Sequence, residues 1–400
     1  MHRRVLIIPD KFKGTLTAEQ AANAIATGWR ACRPDDEVTC LPMTDGGDGF
    51  GAVMSSLMKA TVQTVETVDA AHRPCIGKWW WVAESRIAII ESAAVIGLAQ
   101  LPRGQFHPFQ LDTFGLGAVL LAARELEPKA WLIGIGGSAT NDGGFGLARA
   151  LGWTFEDANG SPILKWTHLP KLARIRPPEH SAPVSASEGG DGSPLPGFSG
   201  VTVVADVRNP LLGASGASRV YGPQKGLRPR DMKFAERCLR SLARGVRGLY
   251  GMDLSRNPGM GAAGGLGFGL HAFLGARMEP GFDLFARYAK LDEVFRNADL
   301  VVTGEGSLDA SSLMGKGVGQ LATLARSLAI PCIGLAGHVA ADVKRDGRFF
   351  SAIGLDSITD RESAMRQPAH WLTSAAQLAA QIPIPHPSSQ TFWHRKTSSC

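Results

Sequence analysis

The sequence predicts an α/β protein in which a doubly wound parallel sheet, built from the two ends of the chain, is interrupted by a second α/β domain with a mixed sheet. Three observations support this fold class. Short apolar runs alternate with segments of helical periodicity near both ends of the chain. In the middle, two strand-like runs are separated only by a tight turn, which indicates a hairpin. The length of 400 residues also exceeds what one ordinary core accommodates.

The amino-terminal end predicts a strand, a helix and a second strand. The first apolar run covers residues 5–8. Thr17 then has Gln20 three residues later, which is the spacing of a capping box at a helix start. Apolar residues recur at helical spacing after it, at Ala18, Ala21, Ala22, Ile25, Trp29 and Cys32. Pro34 ends the pattern, and residues 38–41 predict the next strand.

The carboxyl-terminal part repeats this alternation. Apolar runs at 299–302, 331–336 and 351–355 predict strands, and a helix is expected around 317–328 between the first two. These strands would share one sheet with the amino-terminal strands. We therefore assign residues 1–68 plus 290–382 to one discontinuous domain.

The middle of the chain, residues 69–289, is predicted to be the inserted domain. Residues 75–82 and 86–91 are its expected hairpin. Residues 177–199 are rich in Pro, Ser and Gly and predict a flexible surface loop. The tail at 383–400 is predicted to be disordered.

The composition narrows the class of function. A net charge of +6 is small and scattered, so we expect no nucleic-acid partner. The 6 cysteines occur singly, as in a reducing compartment. No apolar run is long enough for a secretory signal or a membrane span, so a cytoplasmic protein without a membrane partner is expected.

Chemistry-bearing residues follow the predicted strands. Five such loops read PDKFKGT, PMTDGGDG, GIGGSATNDGG, ADVRNP and TGEGSLD. Because ligands of open α/β sheets bind beyond the carboxyl ends of the strands, these loops could share one site. Their carboxylates are Asp10, Asp45, Asp48, Asp142, Asp206, Glu305 and Asp309, and they also supply Lys11 and Lys13.

This mixture of acids, lysines and glycines favours phosphate chemistry. Glycine-rich backbone can bind anions through its N–H groups. Carboxylates tolerate an anion beside them when a divalent cation lies between, and Mg²⁺ commonly shares one or two carboxylates with phosphate oxygens. Phosphoryl transfer needs this positioning and charge neutralisation.

Standard nucleotide motifs fit poorly. The Gly315–Lys316 pair is preceded by Ala310 where a P-loop requires Gly and is followed by Gly317 where it requires Ser or Thr. Residues 134–139, GIGGSA, match a dinucleotide fingerprint, with Glu156 at a suitable distance for a ribose contact. An NAD(P)-dependent oxidoreductase therefore stays open as an alternative.

Seven segments together resemble the class I glycerate kinases, of the bacterial glycerate 2-kinase type, in the same order along nearly the whole chain. They are PDKFKGTLTAEQAANAI, LPMTDGGDG, GIGGSATNDGG, ADVRNPL, YGPQKG, PGMGAAGGLG and TGEGSLD. The resemblance implies a Rossmann-like domain interrupted by a second α/β domain. It also implies ATP-dependent, Mg²⁺-assisted phosphorylation of D-glycerate at the 2-hydroxyl, in the cleft between the domains. Phosphorylation at the 3-hydroxyl is the alternative within this family, and a homodimer is one assembly compatible with it.

With this reaction in view, we expect specific roles for the loop residues. The expected catalytic residues are Asp206, Asp142 and Lys13, because the glycerate hydroxyl must lose a proton as it attacks phosphorus. The expected metal ligands are Asp45, Asp142, Asp206 and Glu305. The expected substrate and nucleotide contacts are Asp10, Lys11, Asp45, Asp48, Gly136, Gly137, Ser138, Asn141, Gly264, Gly265, Glu305 and Lys316.

Structural alternatives exist for these residues. Asp45 and Asp48 could simply form turns, Asp142 could cap the following helix, and the glycines could allow tight packing of helix and strand. Three places also depart from the family pattern: Lys11 where we expect Ser, Ser307 where Arg is frequent, and the segment 113–118. Lys11 could supply the positive charge that Ser307 lacks.

Overall fold

The structure, a computed structural model, describes residues 2–179, 195–314 and 317–384. Internal contacts divide the chain into two compact units: unit 1 comprises Met1–Asp45 and Phe282–Cys400, and unit 2 comprises Gly46–Gly281. The chain thus enters unit 2 just after Asp45, not after the predicted residue 68. It leaves unit 2 at Gly281, before the predicted residue 289.

The strands and helices, in chain order, have the following bounds. The strands are β1 (Arg4–Pro9), β2 (Glu37–Cys40), β3 (Thr61–Val68), β4 (Pro74–Val82), β5 (Ile87–Glu91), β6 (Ala130–Gly134), β7 (Thr154–Asp157), β8 (Leu172–Arg176), β9 (Val201–Val204), β10 (Arg277–Glu279), β11 (Leu300–Leu308), β12 (Cys332–Val339) and β13 (Ser351–Gly354). The α-helices are α1 (Ala18–Cys32), α2 (Phe50–Met58), α3 (Ala93–Ile96), α4 (Phe114–Arg124), α5 (Phe145–Ala150), α6 (Ala217–Lys225), α7 (Met232–Tyr250), α8 (Ala262–Leu274), α9 (Gly281–Tyr288), α10 (Leu291–Arg296), α11 (Ala310–Leu313), α12 (Gly317–Ser327), α13 (Ala341–Asp346), α14 (Arg361–Arg366) and α15 (Pro368–Ala380). None of the helices in these described ranges is both long and apolar enough to cross a membrane.

Unit 1 contains the predicted parallel sheet. Its 5 strands lie in the order β13-β12-β11-β1-β2, and each neighbouring pair is parallel. Strand order reverses between β1 and β11, because β2 lies on one side of β1 and the late strands lie on the other. This is the topological switch point at which open α/β sheets bind ligands.

Local sequence explains the first elements of unit 1. The Thr17 side chain accepts a hydrogen bond from the Gln20 amide, and the Gln20 side chain accepts one from the Thr17 amide. This is the predicted capping box, and it is confirmed. The buried face of α1 packs against α15, with α1 over β1 and β2 and α15 over β12 and β13, and Val5, Ile7 and Leu300 are buried in this core. Burial of these apolar side chains positions the strand ends that carry the candidate site.

Unit 2 contains a 6-stranded mixed sheet in the order β10-β9-β6-β5-β4-β3. The strands from β10 to β5 pair in parallel, whereas β4 pairs antiparallel with both β5 and β3. The predicted hairpin and mixed sheet are thus confirmed. Strand β3 was not predicted, because the apolar residues of TVQTVETV recur at every third position and do not show the alternation typical of a strand. Its pairing along the whole of β4 explains why the chain enters unit 2 before residue 68.

Two segments predicted to be irregular are partly packed. In the predicted loop 177–199, residues 180–194 lie outside the described residues, but Leu195 and Phe198 are buried. The Phe198 ring lies 5.0 Å from that of Trp131. In the predicted tail, residues 385–400 lie outside the described range, whereas Ile384 is buried and its carbonyl accepts a hydrogen bond from Arg3. Apolar side chains at the ends of both segments contribute to the cores, which composition averaged over a window did not reveal.

Candidate functional site

In unit 1, acidic residues gather at the switch point of the parallel sheet. Asp10 directly follows β1, and its amide donates to the carbonyl of Gly304 on β11 at 2.8 Å. Glu305 is the next residue on β11 and is buried. Asp45 ends unit 1 before the chain enters unit 2. Three carboxylates that are far apart in sequence therefore lie near one another at the carboxyl end of this sheet.

Lys11 connects two of these carboxylates. Its backbone amide donates to Asp10 Oδ1 at 2.7 Å, and its Nζ lies 2.8 Å from Asp45 Oδ1. The Lys11 side chain is 20% exposed and that of Asp45 is 36% exposed, so a ligand could still reach this pair. At the position where we expected Ser, Lys11 thus places a cation inside the acidic group.

Burial and neighbouring negative charges disfavour the ionised form of Asp10 in this group. The pKa of Asp10 is raised to about 7, mainly by burial and next by the negative charge of Asp45, with a smaller contribution from Glu305. The Lys11 charge and its amide hydrogen bond oppose this increase. A site in which neighbouring carboxylates help to raise the pKa of Asp10 favours an added cation, because the cation stabilises ionised carboxylates.

The remaining predicted residues of unit 1 are less constrained. Lys13 is exposed, in the tight turn that Phe12 and Leu16 close by backbone hydrogen bonds. Asp309 accepts a hydrogen bond from the Ser311 amide and caps α11. Lys316 lies outside the described residues.

In unit 2, the predicted glycines allow close backbone packing. A Cβ atom on Gly136 would lie 2.4 Å from the Cα of Gly47, and one on Gly137 would lie 1.7 Å from Asp48 Oδ1. The segment after β6 therefore rests directly on the DGGDG segment. Gly137 and Asp48 are both exposed, so their surface is accessible to a ligand.

Two glycines of α8 also allow close packing of backbone segments. Gly264 has φ +71° and a Cβ there would lie 2.0 Å from the carbonyl oxygen of Thr140, while Gly265 has φ +88° and would bring a Cβ within 2.8 Å of the Cα of Gly143. Ala263 precedes them with φ +54°, which is unusual for a residue with a side chain. The buried Ser138 hydroxyl lies 2.9 Å from that of Thr140 and 3.3 Å from the carbonyl oxygen of Ala263.

Asn141 and Lys225 make separate buried polar contacts at the loop that follows β6. The Asn141 amide donates to the Ser218 hydroxyl at 2.9 Å, and no described residue donates to its Oδ1. Lys225 Nζ donates to the carbonyl of Thr140 at 2.6 Å. Burial lowers the pKa of Lys225 to about 7, and the charge of Asp142 opposes this. Lys225 was missed as a site residue, although the YGPQKG segment that contains it was recognised.

Asp142 is a buried structural acceptor. Its Oδ2 accepts hydrogen bonds from the amide and hydroxyl of Thr113, at 2.9 and 2.8 Å, and from the amide of Gly146 at 2.9 Å. Its Oδ1 lies 3.3 Å from the amide of Gly144. These contacts join the starts of α4 and α5. The geometry favours the helix-capping alternative over metal binding or catalysis, because N–H and O–H donors already surround the carboxylate.

Asp206 follows β9, at the carboxyl end of the unit 2 sheet. Its Oδ1 accepts a hydrogen bond from the Gly281 amide at 2.5 Å, which links it to the first residue of α9. Glu91, at the end of β5, accepts hydrogen bonds from the amides of Gly49 and Gly51 at 3.0 and 2.9 Å and so anchors the start of α2. Sequence reasoning missed Glu91 as a site residue. The signal that could have identified it is a charged residue at the end of an apolar run.

The metal and dinucleotide hypotheses can be compared with this geometry. No group of three His, Cys, Asp or Glu side chains within the described ranges is arranged to hold a metal ion by itself. Mg²⁺ shared with phosphate needs only one or two carboxylates, so the unit 1 acids fit that requirement. The GIGGSA segment lacks the strand-to-helix context of a dinucleotide site, because α5 begins only at Phe145. Glu156 lies within 3.6 and 2.9 Å of Arg174 and Arg176 in the β7–β8 sheet.

Comparison with known proteins identifies the family. A family model described as the glycerate kinase family matches residues 5–383. The chain is 33% identical over 389 residues to a protein of Halalkalibacterium halodurans named glycerate kinase, covering 94% of this chain and 97% of that one. It is 34% identical over 341 residues to an Escherichia coli protein named glycerate 2-kinase, covering 85% and 86%.

A solved structure supports the same conclusion. A protein of Salmonella typhimurium LT2, provisionally named glycerate kinase 2, superposes with a TM-score of 0.76 at 31% identity, covering 95% of this chain and 98% of the other. The fold class and the family resemblance inferred from the sequence are confirmed. The chain belongs to the glycerate kinase family and is an enzyme of that family.

Proposed function

We propose that this protein transfers the γ-phosphoryl group of ATP to the 2-hydroxyl of D-glycerate, with Mg²⁺ as cofactor. The observation that carries the proposal is the group of Asp10, Lys11, Asp45 and Glu305 at the switch point of the unit 1 sheet. Membership of the glycerate kinase family supports the acceptor. The name of the Escherichia coli relative favours the 2-hydroxyl over the 3-hydroxyl.

Asp45 and Glu305 are the residues we propose to hold Mg²⁺. Both belong to the group in which neighbouring negative charges already raise the pKa of Asp10. When bound, the ion would neutralise phosphate oxygens and stabilise the charge of the transferring group. We do not include Asp142 among the ligands, because its two oxygens already accept hydrogen bonds from the protein.

Lysine side chains are proposed to neutralise the phosphates. Lys11 is close to the acidic group through Asp45, and Lys13 is exposed two residues further along the same loop. A flexible lysine acts as a point charge toward a phosphate, so neither side chain needs a fixed partner in the free protein. The exposed Gly137 and Asp48 are the proposed contacts from the glycine-rich segment, and Ser138, Asn141, Gly264 and Gly265 keep that segment in place.

Asp206 is proposed as the general base that accepts the proton of the glycerate hydroxyl. Its carboxylate is half-buried, at the carboxyl end of a parallel strand, and one oxygen is oriented by the Gly281 amide. Such orientation of a carboxylate helps proton transfer, because the base must lie within hydrogen-bond distance of the proton it takes.

The experiment is a coupled assay of ADP formation with purified protein, ATP, Mg²⁺ and D-glycerate, followed by NMR of the product. We expect glycerate-dependent ADP and 2-phosphoglycerate. Asp206→Asn should lower kcat by about 10² or more. Asp157→Asn is the matched control, because Asp157 also accepts backbone amide hydrogen bonds but lies at the end of β7.

Each outcome has a defined meaning. Absence of glycerate-dependent ADP would overturn the proposed function, and 3-phosphoglycerate as product would replace the 2-hydroxyl by the 3-hydroxyl. Binding of NAD(P) without binding of ATP would favour the oxidoreductase alternative. An Asp206→Asn variant with the wild-type rate would remove Asp206 as the base.

A further inference from the structure

We propose that His338 is an additional anion-binding residue of the unit 1 site, and that Asp356 orients it. In the imidazolium form of His338, in which both ring nitrogens carry a proton, Nε2–H would donate to an anionic oxygen of the ligand, either a phosphate oxygen of the nucleotide or a carboxylate oxygen of the hydroxy acid. The inference rests on the proposed function, since it assigns a further residue to the same site.

The register of the parallel sheet places His338 beside that site. On β11 and β12, Glu305 pairs with Ala336 and Ser307 pairs with His338. Alternate residues of a strand point to the same face, and directly opposed residues of parallel neighbours share a face. His338 therefore lies on the same face of the sheet as Glu305, one step nearer the carboxyl end.

Asp10 belongs to this face as well. Pro9 pairs with Gly304, which puts Asp10 next to Glu305, and the charge of Glu305 contributes to the raised pKa of Asp10. Asp10 and Glu305 therefore lie side by side at the ends of neighbouring strands. His338 lies on the same face, two residues nearer the carboxyl end than the partner of Glu305 on β12. A ligand phosphate or carboxylate bound above Asp10 and Glu305 would approach the imidazole.

The His338 ring is oriented by a hydrogen bond at one of its two nitrogens, Nδ1. His338 Nδ1 lies 2.5 Å from Asp356 Oδ2, so Nδ1 carries the proton of that hydrogen bond. Nε2 makes no hydrogen bond to any residue in the described ranges, and the side chain is 59% exposed. A histidine held through Nδ1 by a carboxylate presents Nε2 in a defined direction.

The backbone next to Asp356 accommodates this arrangement. A Cβ atom on Gly354, at the end of β13, would lie 2.1 Å from Asp356 Oδ1. Any larger residue at 354 would displace the carboxylate that holds the imidazole. The His338–Asp356 pair therefore depends on the backbone of the turn after β13 as well as on the register of the strands.

The competing explanation is an exposed ion pair that only stabilises the edge of the sheet. Such pairs contribute little to the free energy of unfolding, because water screens both partners. Stability and ligand affinity therefore separate the two explanations. The unit 1 acidic group offers Lys11 and Lys13 as cations, and a highly charged ligand gains from a further donor that carries positive charge when protonated.

The test measures ligand affinity and activity in the full-length protein. His338→Gln should raise either the KM for ATP or the KM for D-glycerate by at least about fivefold, because a hydrogen bond to a charged group is lost. The ligand whose KM changes identifies the anion bound. Direct Kd values for each ligand, from calorimetry with Mg²⁺, should change by the same factor, while the thermal midpoint stays within about 1 °C of the wild type.

Two further variants sharpen the test. Asp356→Asn should weaken the same ligand, and in the double variant it should add little to the effect of His338→Gln. His370→Gln is the matched control, because His370 is exposed on α15 in the same unit. Unchanged KM and Kd values in His338→Gln would overturn the inference. If the wild type shows no glycerate-dependent turnover, the proposed function fails, and the Kd values still decide whether His338 binds an anion.

Discussion

The acidic group of unit 1 and the Asp142 loop of unit 2 look alike in sequence and differ in structure. In both, an aspartate lies in a loop of polar residues and glycine that follows an apolar strand. Burial raises the pKa of Asp10 to about 7, and the nearby carboxylates of Asp45 and Glu305 add to the increase. The pKa of Asp142 is also raised, to about 6, by burial and by Asp112, yet its oxygens are surrounded by protein donors.

The difference lies in what compensates each charge. Backbone and hydroxyl donors offset part of the cost of burying Asp142, and its carboxylate joins the starts of two helices. In unit 1, carboxylate faces carboxylate, and Lys11 forms an ion pair with Asp45. Repulsion of this kind persists in native proteins mainly where function requires it. A perturbed pKa alone does not distinguish a functional acid from a structural one; the identity of the neighbouring groups does.

The largest expected effect is on the folding of unit 2. Asp142→Ala should lower the free energy of unfolding by about 3–5 kcal/mol, because buried donors of Thr113 and Gly146 lose their acceptor. Denaturant unfolding followed by circular dichroism measures this. Asp48→Ala is the control, since Asp48 is exposed and its loss should change stability by less than about 0.5 kcal/mol. An Asp142→Ala protein with normal stability and no activity would instead give Asp142 a catalytic role.

A somewhat smaller effect is expected where the glycine-rich segments meet. Gly264→Ala should cost about 3 kcal/mol, since its Cβ would lie 2.0 Å from the Thr140 carbonyl oxygen and φ is +71°. Gly213→Ala is a matched control: φ is +95° but nothing lies within 4 Å of the added Cβ, so only the backbone cost of about 1 kcal/mol should appear. Equal losses of unfolding free energy in the two variants would show that close packing at Gly264 has no energetic importance.

The smallest of these effects depends on pH and concerns the unit 1 acids. Because the folded pKa of Asp10 is raised from 3.8 to about 7, its contribution to stability is greatest below pH 4 and is lost as the pH rises through 7. Asp10→Asn should therefore match the wild type near pH 4 and be more stable at pH 8, by about 1–3 kcal/mol. Chemical denaturation at both pH values measures the difference.

Asp360 supplies a control of opposite sign for this titration. Hydrogen bonds from the amide and hydroxyl of Ser363 lower the pKa of Asp360. Its contribution is present above the unfolded pKa and is lost as the pH falls, so Asp360→Asn should reduce stability near neutral pH. If Asp10→Asn were less stable than the wild type at pH 8, the carboxylate would be favourably paired and the contrast between the two regions would disappear.

Sequence reasoning was accurate where the pattern is local. The capping box at Thr17, the strands at the two ends of the chain and the hairpin between β4 and β5 depend on residues a few positions apart. It failed for β3, whose pairing with β4 is not visible in its own composition, and for the buried ends of the loop and tail at Phe198 and Ile384. It also missed Glu91 and Lys225, because their partners lie far away in the sequence.

The sequence by itself determined the alternation of strands and helices, the family, and the set of polar residues that follow the strands. These properties follow from hydrophobic periodicity, turn chemistry and motif order, all of which are local or cumulative along the chain. Only the tertiary structure decided which acids face each other and which are satisfied by backbone donors. The reason is that the energy of a carboxylate depends on burial and on charges and donors within a few ångströms, and the register of the strands sets those neighbours.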